Sequence, residues 1–529
     1  MQKVGAAPPW GAIARATAGS APAPAAAGRR IWSGVVWPLA IGLAALAARL
    51  YGLGDKPFWL DEVATLHRVT AGLPDLISSS LHADHYPTYF LLPWLAAKFG
   101  ASQWLLRLPS AVFGALCAAV TFAIGRRVGD TPSGVVAGLL MALSPFEIQF
   151  GQEARSYTLV SCLILVALWG LVRLAQNPDE AAIPCWTTGA RRGAWLAYGL
   201  GTAAAIDVLN AAIPWLVCAN LCAIVIAHAA RAQKTSFWRN WLWVQLAIVA
   251  TWLPMLAAVY VARGGAFIDD VGWAWPASEQ TVWSIVGPVY LLRISNFITA
   301  GTAPAAVPAL SAAIIALAGA GAWRLRHSLT VAAVLGSATV ILPVSLALVS
   351  IFVPVLVPRY FVWGAGPFFI LAGLGFGQIP KPGYAVAAAA LGMAALGTAC
   401  LINLAPYYSY ETKPRWDLVA KQLAADARPG DVVLVNSYYA YWTLAAFAPE
   451  AGLDESQITL TWEVSKAVAP LGSTLWTVYG RTGPAVAETV EEFQASLAAL
   501  GPPPPAEAIG RYITLWRYTS TARTATATP

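Results

Sequence analysis

SGVVAGLLMALSPFEIQF, residues 133–150, and SYTLVSCLILVALWGLVRL, residues 156–174, are two long apolar runs separated by the short link GQEAR, residues 151–155. A membrane-spanning helix needs about 20 consecutive, mostly apolar residues, and each run is close to that length. Neither run alternates apolar and polar residues with period two, as a strand of a membrane barrel would. The stretch therefore predicts two spanning helices joined by a short polar turn, as in a polytopic α-helical membrane protein.

Comparable apolar runs fill most of the remaining chain. Its 529 residues are 58% hydrophobic and only 11% charged, whereas soluble domains carry about 25% charged residues. One further apolar run, residues 86–98, contains two prolines and is too short to cross a bilayer, so we interpret it as an interfacial or re-entrant helix and not as a span. We predict eleven spans, near residues 32–53, 107–124, 133–150, 156–174, 194–209, 211–230, 240–262, 304–323, 329–353, 361–378 and 383–404.

The distribution of Lys and Arg predicts the orientation, because cytoplasmic loops carry an excess of both. With the N-terminus inside, the basic residues gather in alternate loops and most acidic residues fall in the opposite loops. These basic loops account for the formal net charge of +7, so we predict no nucleic-acid partner. The high Ala and Pro content indicates a GC-rich bacterial genome. The predicted location is therefore the bacterial inner membrane, with the acidic loops in the periplasm.

Composition divides the chain into three parts. Residues 1–30 are rich in Ala, Pro and Gly and are predicted to be a disordered cytoplasmic N-terminus. Residues 31–404 form the transmembrane domain, whose first periplasmic loop is 54–106, and residues 405–529 form a small periplasmic α/β domain. In this last part the sequence predicts a largely parallel sheet without a Gly-rich phosphate fingerprint, built from helices at 415–423 and 484–500 and strands at 432–436, 474–479 and 512–518.

An adjacent acidic pair, Asp61 and Glu62, follows the first predicted span in the stretch PFWLDEVA, residues 57–64. One interpretation is a solvated pair of loop carboxylates. The other is a chemical role, since the flanking Phe58, Trp59 and Leu60 belong at the lipid headgroup boundary. A carboxylate in such a partly dry site can act as a general base toward a hydroxyl group.

Further polar residues fall on the same predicted face of the membrane. His82, Asp84 and His85 form a polar turn that caps the interfacial helix or have a functional role. His and Asp at this spacing could bind a metal, but no third or fourth ligand can be assigned from the sequence. Arg107 lies at the outer entrance of a span, where an arginine either extends to the interface or binds a phosphate or an acid.

Two later motifs complete this set. Glu153, Arg155 and Tyr157 crowd the short link after residue 150, where Glu153 and Arg155 either pair with each other or line the cavity of Asp61. Arg359 and Tyr360 lie at the outer end of a span, where they serve as an interfacial anchor or bind a lipid phosphate. All of these residues fall on one predicted membrane face, which favours a shared site.

The order of these motifs resembles the polytopic GT-C glycosyltransferases, and most of all the family 39 type that includes protein O-mannosyltransferases and lipid A aminoarabinose transferases. The resemblance is strongest over residues 54–175 and returns at Arg359 and Tyr360. The sequence departs from the family at Tyr86-Pro87-Thr88, where the family has a double proline. The matching pieces are WLDE at 59–62, HYPTY at 85–89, FGAS at 99–102, LRLPS at 106–110, SP at 144–145, QEARSY at 152–157 and PRY at 358–360.

The resemblance implies a GT-C-like fold and an inverting transfer from a polyprenyl-phosphate-linked sugar to a lipid, glycan or protein acceptor. Asp61 would be the general base, with Glu62 supporting it and Glu153 as a second acid in the cavity. Arg359 and Tyr360, with Arg155 or Arg107, would bind the departing phosphate. His82, Asp84, His85 and Tyr157 would line the substrate cavity. The resemblance demands no metal and leaves a divalent metal open.

Two rival interpretations remain. A transporter or flippase of lipid-linked sugars predicts polar residues deep inside the spans and discontinuous helices in related halves. A lipid-linked glycan polymerase or ligase shares the membrane setting. The polar residues collect at one face of this chain, which favours an enzyme that works at headgroup depth.

Overall fold

A computed structural model describes most of the chain. It covers residues 24–83, 85–183, 189–230, 234–265, 278–296, 301–302, 308–351, 356–377, 385–454, 456, 458–481 and 489–519. Asp84 and most of the predicted disordered N-terminus lie outside these residues.

The first 409 residues are almost entirely helical where the structure describes them. Short 3-10 turns at Asn210–Ala212 and Leu325–His327, a longer one at Pro358–Gly364 and a π-helical turn at Ser337–Ile341 connect the α-helices. Two short antiparallel strands, β1 (Ser295–Asn296) and β2 (Gly301–Thr302), form a ribbon. The first five helices are α1 (Pro24–Leu50), α2 (Leu60–Thr70), α3 (Leu73–His82), α4 (Pro87–Ala97) and α5 (Gln103–Val128).

The remaining helices of the membrane domain follow in chain order. They are α6 (Thr131–Leu143), α7 (Pro145–Gly151), α8 (Tyr157–Gln176), α9 (Pro178–Ala181), α10 (Gly189–Val208), α11 (Pro214–Ala229), α12 (Lys234–Ala262), α13 (Glu279–Leu291), α14 (Pro308–Arg324), α15 (Leu329–Gly336), α16 (Leu342–Val349), α17 (Ala365–Phe376) and α18 (Ala385–Ser409).

A helix, continuous or broken, overlaps each predicted span, and the chain is a polytopic α-helical membrane protein. Over the described residues, seven helices are long and apolar enough to cross a membrane, or eight if the bent pair α6 and α7 forms one span. The predicted segments at α1, α10 and α17 are helical but do not pass that test, so eleven spans remains a prediction. Helix α4 has 11 residues and is about 16 Å long, which is too short to cross.

The segment 133–150 was expected to be one span, but it is two helices. Helices α6 and α7 meet at an angle of 59°. Pro145 is the first residue of α7, and Ser144 before it is extended, with ψ of 121°. A residue before proline is driven out of the helical region, so the chain bends there. The bend brings the link 151–157 against α2.

Helices α14 and α17 touch through glycines. A Cβ on Gly321 would lie 1.8 Å from the carbonyl oxygen of Leu371, and one on Gly375 would lie 1.9 Å from that of Leu317. Neither position can hold a side chain without separating the two helices. Small residues commonly permit such close backbone approach between membrane helices.

The C-terminal part folds around a five-stranded sheet. Its helices are α19 (Trp416–Asp426), α20 (Tyr438–Ala451) and α21 (Val490–Ser496), and the strand order is β4-β3-β5-β7-β6. Strands β3, β4 and β5 are parallel, while β7 and β6 are antiparallel. The largely parallel sheet that we expected is therefore a mixed sheet. The strands are β3 (Val432–Val435), β4 (Thr459–Thr461), β5 (Thr474–Gly480), β6 (Glu507–Ile509) and β7 (Ile513–Thr519).

Candidate active site

Helix α2 presents its first two acidic residues to different surroundings. Asp61 and Glu62 are consecutive in its first turn, so their side chains point about 100° apart around the helix axis. The Glu62 side chain is fully buried, whereas the Asp61 side chain is 21% exposed. The pair therefore separates into an inner carboxylate and an outer one.

Glu62, the inner carboxylate, accepts five hydrogen bonds, the longest of them from the backbone N–H of Trp59 at 3.5 Å. Arg107 donates to both of its oxygens, at 2.7 Å from Nε and 3.0 Å from Nη2. Lys413 donates from Nζ at 2.6 Å, and the backbone N–H of Ala154 donates at 2.9 Å. Burial alone would raise the pKa of Glu62, but Arg107 and Lys413 reverse that effect and lower it to about 2. Glu62 is therefore ionised and joins four separate segments of the chain.

Arg107 is fully occupied by this arrangement. Its remaining donors contact three backbone carbonyls, those of Leu53 and Lys56 at 2.8 Å and that of Pro57 at 3.1 Å. An arginine has five N–H donors, and all five have an acceptor here. None is left for a phosphate, so we reassign Arg107 from phosphate binding to holding Glu62 and the loop before α2.

Asp61, the outer carboxylate, faces two arginines. The Nη1 atom of Arg359 lies 3.4 Å and the Nη2 atom of Arg155 lies 3.9 Å from its Oδ2. Arg155 also donates to the backbone carbonyl of Asp61 at 3.3 Å. Burial opposes ionisation of Asp61, but Arg359 and Arg155 outweigh it and hold its pKa below the ordinary value. A partly exposed carboxylate thus lies between two guanidinium groups.

His85 is neutral in this arrangement. Its Nδ1 faces the carbonyl of Ala83, so it must carry the proton, while its Nε2 lies 3.2 Å from Nη2 of Arg155 and must accept. Burial, together with the charges of Arg155 and Arg68, lowers the pKa of His85 to about 3. His85 therefore orients Arg155 without adding a positive charge.

Glu153 is a buried carboxyl group behind Asp61. Within the described part of the chain, neither of its side-chain oxygens has a hydrogen-bond partner, and Nζ of Lys413 lies 4.0 Å from its Oε1. Burial raises the pKa of Glu153 to about 7, with Lys413 opposing the rise and Glu62 and Asp61 adding to it. Such a group can hold or release a proton near neutral pH.

The other residues of the sequence prediction divide into two groups. Tyr157 begins α8, and its ring centroid lies 6.0 Å from the guanidinium carbon of Arg155. Tyr360 stands 5.8 Å from the guanidinium carbon of Arg359. His82, in contrast, is exposed at the end of α3 and bonds to the carbonyl of Ser78 at 2.8 Å. The geometry therefore joins Tyr157 and Tyr360 to the arginines but not His82.

Lys413 and Lys56 were missed by the sequence prediction. Lys413 lies in the segment between α18 and α19, 351 residues from Glu62. Lys56 donates to the carbonyl of Tyr407 at 3.0 Å and lies 3.7 Å from the centroid of its ring. Burial, with Lys413 and Arg107 nearby, lowers the pKa of Lys56 to about 7. In the sequence each is a lysine next to an apolar segment. Interfacial anchors have the same pattern, so the sequence does not mark either lysine as part of a site.

Acidic and metal-binding side chains do not assemble into a metal centre among the described residues. No group of three or more His, Cys, Asp or Glu side chains there could hold a metal ion. The cysteines that the structure describes are all buried and unpaired.

Comparison with known proteins identifies the fold. No family model and no curated protein matches the sequence. Among solved structures, ArnT from Cupriavidus metallidurans in the apo state is similar over 96% of this chain and 99% of its own, with a TM-score of 0.56 and 14% identity. Its complex with undecaprenyl phosphate gives a TM-score of 0.57 over 92% of this chain and 99% of its own, also at 14% identity.

A second neighbour comes from an archaeon. The apo oligosaccharyltransferase of Archaeoglobus fulgidus is 12% identical over 85% of this chain and 70% of its own, with a TM-score of 0.51. The chain has the fold of the GT-C glycosyltransferases. The identities are low, so the likeness concerns the GT-C fold, and the chemistry of this chain has to be argued from its own site.

Proposed function

We propose that this protein is an inverting membrane glycosyltransferase that moves a sugar from a polyprenyl-phosphate donor to an acceptor hydroxyl group. The observation that carries the proposal is Asp61, a partly exposed carboxylate within 4 Å of the guanidinium groups of Arg359 and Arg155. The crystal structure of ArnT with undecaprenyl phosphate supports the choice of donor, because that neighbour of the same fold binds a lipid phosphate.

Arg359 and Arg155 are the proposed phosphate ligands. The leaving group of this reaction is a lipid phosphate, which needs stabilisation of negative charge more than it needs a strong acid. Guanidinium groups provide it through charge-assisted hydrogen bonds. Tyr360 and Tyr157 stand beside these arginines and complete the proposed phosphate site.

Asp61 is the proposed general base. In the donor-free structure Arg359 and Arg155 stabilise its charged form, which makes it a weak base. A donor phosphate that engages both arginines would weaken their hold on Asp61 and raise its basicity. The carboxylate would then accept the proton of the acceptor hydroxyl as that oxygen attacks the anomeric carbon and the phosphate departs. Base activation is thereby tied to donor binding.

The proposed setting is the periplasmic face of a bacterial inner membrane. The distribution of basic residues supports a cytoplasmic N-terminus and a periplasmic domain over residues 405–529. We keep residues 31–404 as the transmembrane domain and 54–106 as its first periplasmic loop. Lys413, in residues 405–529, donates to Glu62, in the loop 54–106. The C-terminal domain and that loop would therefore lie on the same side of the membrane.

The decisive experiment compares the wild-type protein with Asp61→Asn. Purified protein in lipid nanodiscs is incubated with radiolabelled polyprenyl-phosphate sugars and a native membrane lipid extract, and sugar transfer is followed over time. We expect the substitution to lower transfer at least about a hundredfold, because general-base catalysis contributes roughly 10²–10⁴-fold. Asp75→Asn, an identical change at an exposed acid of the same loop, should retain activity.

Two results would contradict the proposal. Full activity of a folded Asp61→Asn protein would remove Asp61 from the mechanism. Failure of the wild-type protein to transfer or hydrolyse any donor, accompanied by movement of lipid-linked sugar across the bilayer, would establish the transporter instead.

A further inference from the structure

The periplasmic domain carries a cluster of exposed aromatic rings that the proposed reaction does not use. We define the aromatic platform as Tyr438, Tyr439, Tyr441 and Trp462. The ring of Trp462 lies 5.0 Å from that of Tyr438 and 4.7 Å from that of Tyr441, centroid to centroid. Tyr438 and Tyr439 are half exposed, and Trp462 is 36% exposed. Large aromatic side chains gathered on a surface mark a binding region more often than isolated ones do.

The aromatic platform lies at the edge of the sheet where ligands bind in α/β folds. Tyr438 begins α20 just after the end of β3, and Trp462 follows directly after β4. Strands β4 and β5 flank β3 and run parallel to it, so the carboxyl ends of the three strands meet at one edge of the sheet. Ligands of open α/β sheets occupy the crevice at the carboxyl ends of such strands.

This edge faces the membrane domain. Trp442 of α20 stacks on His67 of α2, with ring centroids 4.6 Å apart and planes inclined by 8°. His67 is six residues beyond Asp61 and Tyr438 is four residues before Trp442, distances of about 9 Å and 6 Å along the two helices. The aromatic platform therefore lies on the order of 20 Å from Asp61, which a few linked sugar residues can span.

The chemistry of the platform suits a carbohydrate. The C–H groups on one face of a sugar ring form an apolar surface that packs on an aromatic ring, while its hydroxyl groups bond to polar neighbours. Three members are tyrosines, which offer both a ring and a hydroxyl group. The ion pair of Glu463 and Lys466 follows Trp462, with Nζ 2.6 Å from Oε1, so polar groups border the rings.

We propose that the aromatic platform binds the sugar portion of the acceptor, so that the acceptor is a glycan or glycan-bearing molecule. The inference rests on the proposed glycosyltransferase function and specifies its substrate class. The platform would hold a sugar remote from the reaction while the terminal hydroxyl group reaches Asp61. Binding energy from a remote part of a substrate contributes to positioning the reacting group.

The test uses the full chain in nanodiscs and a double substitution, Tyr438→Ala with Trp462→Ala. Leu471→Ala serves as the matched control, because Leu471 is 71% exposed in the same domain but is not an aromatic ring of the cluster. Saturation-transfer NMR measures binding of maltohexaose, chitohexaose and the core oligosaccharide released from lipopolysaccharide. We expect wild type and control to bind at least one of them and the double variant to bind it at least tenfold more weakly.

Transfer kinetics supply the second readout. The double variant should raise the acceptor KM about tenfold or more while the donor KM and donor hydrolysis stay unchanged. An unchanged acceptor KM, or no oligosaccharide binding to the wild type, would overturn the inference. Quenching of Trp462 by brominated lipids would also overturn it, because the rings would then contact the bilayer. The fluorescence of Trp462 is obtained as the difference between the spectra of the wild type and of Trp462→Ala. Oligosaccharide binding without any transfer or hydrolysis would instead count against the proposed function alone.

Discussion

Asp61 and Glu62 show how two identical charges on adjacent residues acquire different tasks. Glu62 is buried between Arg107 and Lys413 as an ionised structural group, whereas Asp61 is partly exposed and is the carboxylate that we propose for the chemistry. The sequence motif identifies the pair, but only the helix geometry distinguishes its members. Their substitutions should therefore produce different phenotypes, one in stability and one in catalysis.

Glu62→Gln should destabilise the protein. The change removes one charge from a buried network and leaves Arg107 and Lys413 facing each other, and breaking a buried pair costs about 3–5 kcal/mol. Thermal unfolding of the purified protein would measure the loss. Glu463→Gln, which breaks an exposed pair with Lys466, should cost about 0–1 kcal/mol. Equal effects of the two changes would contradict the structural role of Glu62.

Glu153→Gln should change how stability depends on pH. The folded protein raises the pKa of Glu153 to about 7, so between roughly pH 4.5 and 7 it binds more protons than the unfolded chain does. The wild type therefore loses stability as pH rises through that window and not above it. The Gln variant lacks this term, so its stability relative to wild type should increase from pH 5 to pH 8 by on the order of 2 kcal/mol. If the difference in unfolding free energy between the variant and the wild type is the same at pH 5 and at pH 8, the raised pKa of Glu153 is refuted.

At the scale of elements, the contact between α14 and α17 depends on glycine. Gly321→Ala would push a methyl group into the backbone of Leu371, whereas Gly319→Ala on the same helix meets nothing within 4 Å. Alanine otherwise favours a helix over glycine by roughly 0.5–1 kcal/mol. We expect Gly319→Ala to keep or raise the melting temperature and Gly321→Ala to lower it by several degrees. A thermal-shift series on the two variants would compare them, and a neutral Gly321→Ala would exclude the close contact.

The elements also show why some features followed from the sequence and others did not. Long apolar runs predict helices because bilayer length and continuous hydrophobicity admit few alternatives. The break between α6 and α7 was missed, although Ser144-Pro145 signals it, because the apolar run continues across the proline. In the sheet, β3 and β5 were predicted from β-branched apolar residues, but β4 and β6 have three residues each and are too short to give a pattern.

Tertiary contacts explain the remaining misses in the site. Asp61, Glu153, Arg155 and Arg359 were predicted to share one site because their motifs are ordered as in a known family; the structure places the two arginines within 4 Å of Asp61, and their roles stay a prediction. Lys413 had no local signal, since its importance comes from a contact with a residue 351 positions away. Arg107 was assigned to phosphate because its position fits that role, and only its five satisfied donors exclude it.

At the scale of the whole molecule, the charge distribution predicts a definite orientation. Leu471→Cys in the C-terminal domain, which we propose to be periplasmic, should react with an impermeant maleimide in intact spheroplasts. Arg326→Cys, after α14, should react only after permeabilisation, because the basic loops are predicted to be cytoplasmic. Both positions are exposed, and the five described native cysteines are buried. Labelling of Arg326→Cys from outside would invert the proposed topology.

The contact of Lys413 with Glu62 has a consequence for biosynthesis. The carboxylate emerges from the ribosome 351 residues ahead of its lysine, so at about 5–20 residues per second the two are made roughly 20–70 s apart. Arg107 follows Glu62 by only 45 residues, so for most of that interval it is the one partner of the pair that has been made. The network around Glu62 can therefore be completed only after α18 and the segment that follows it have been synthesised.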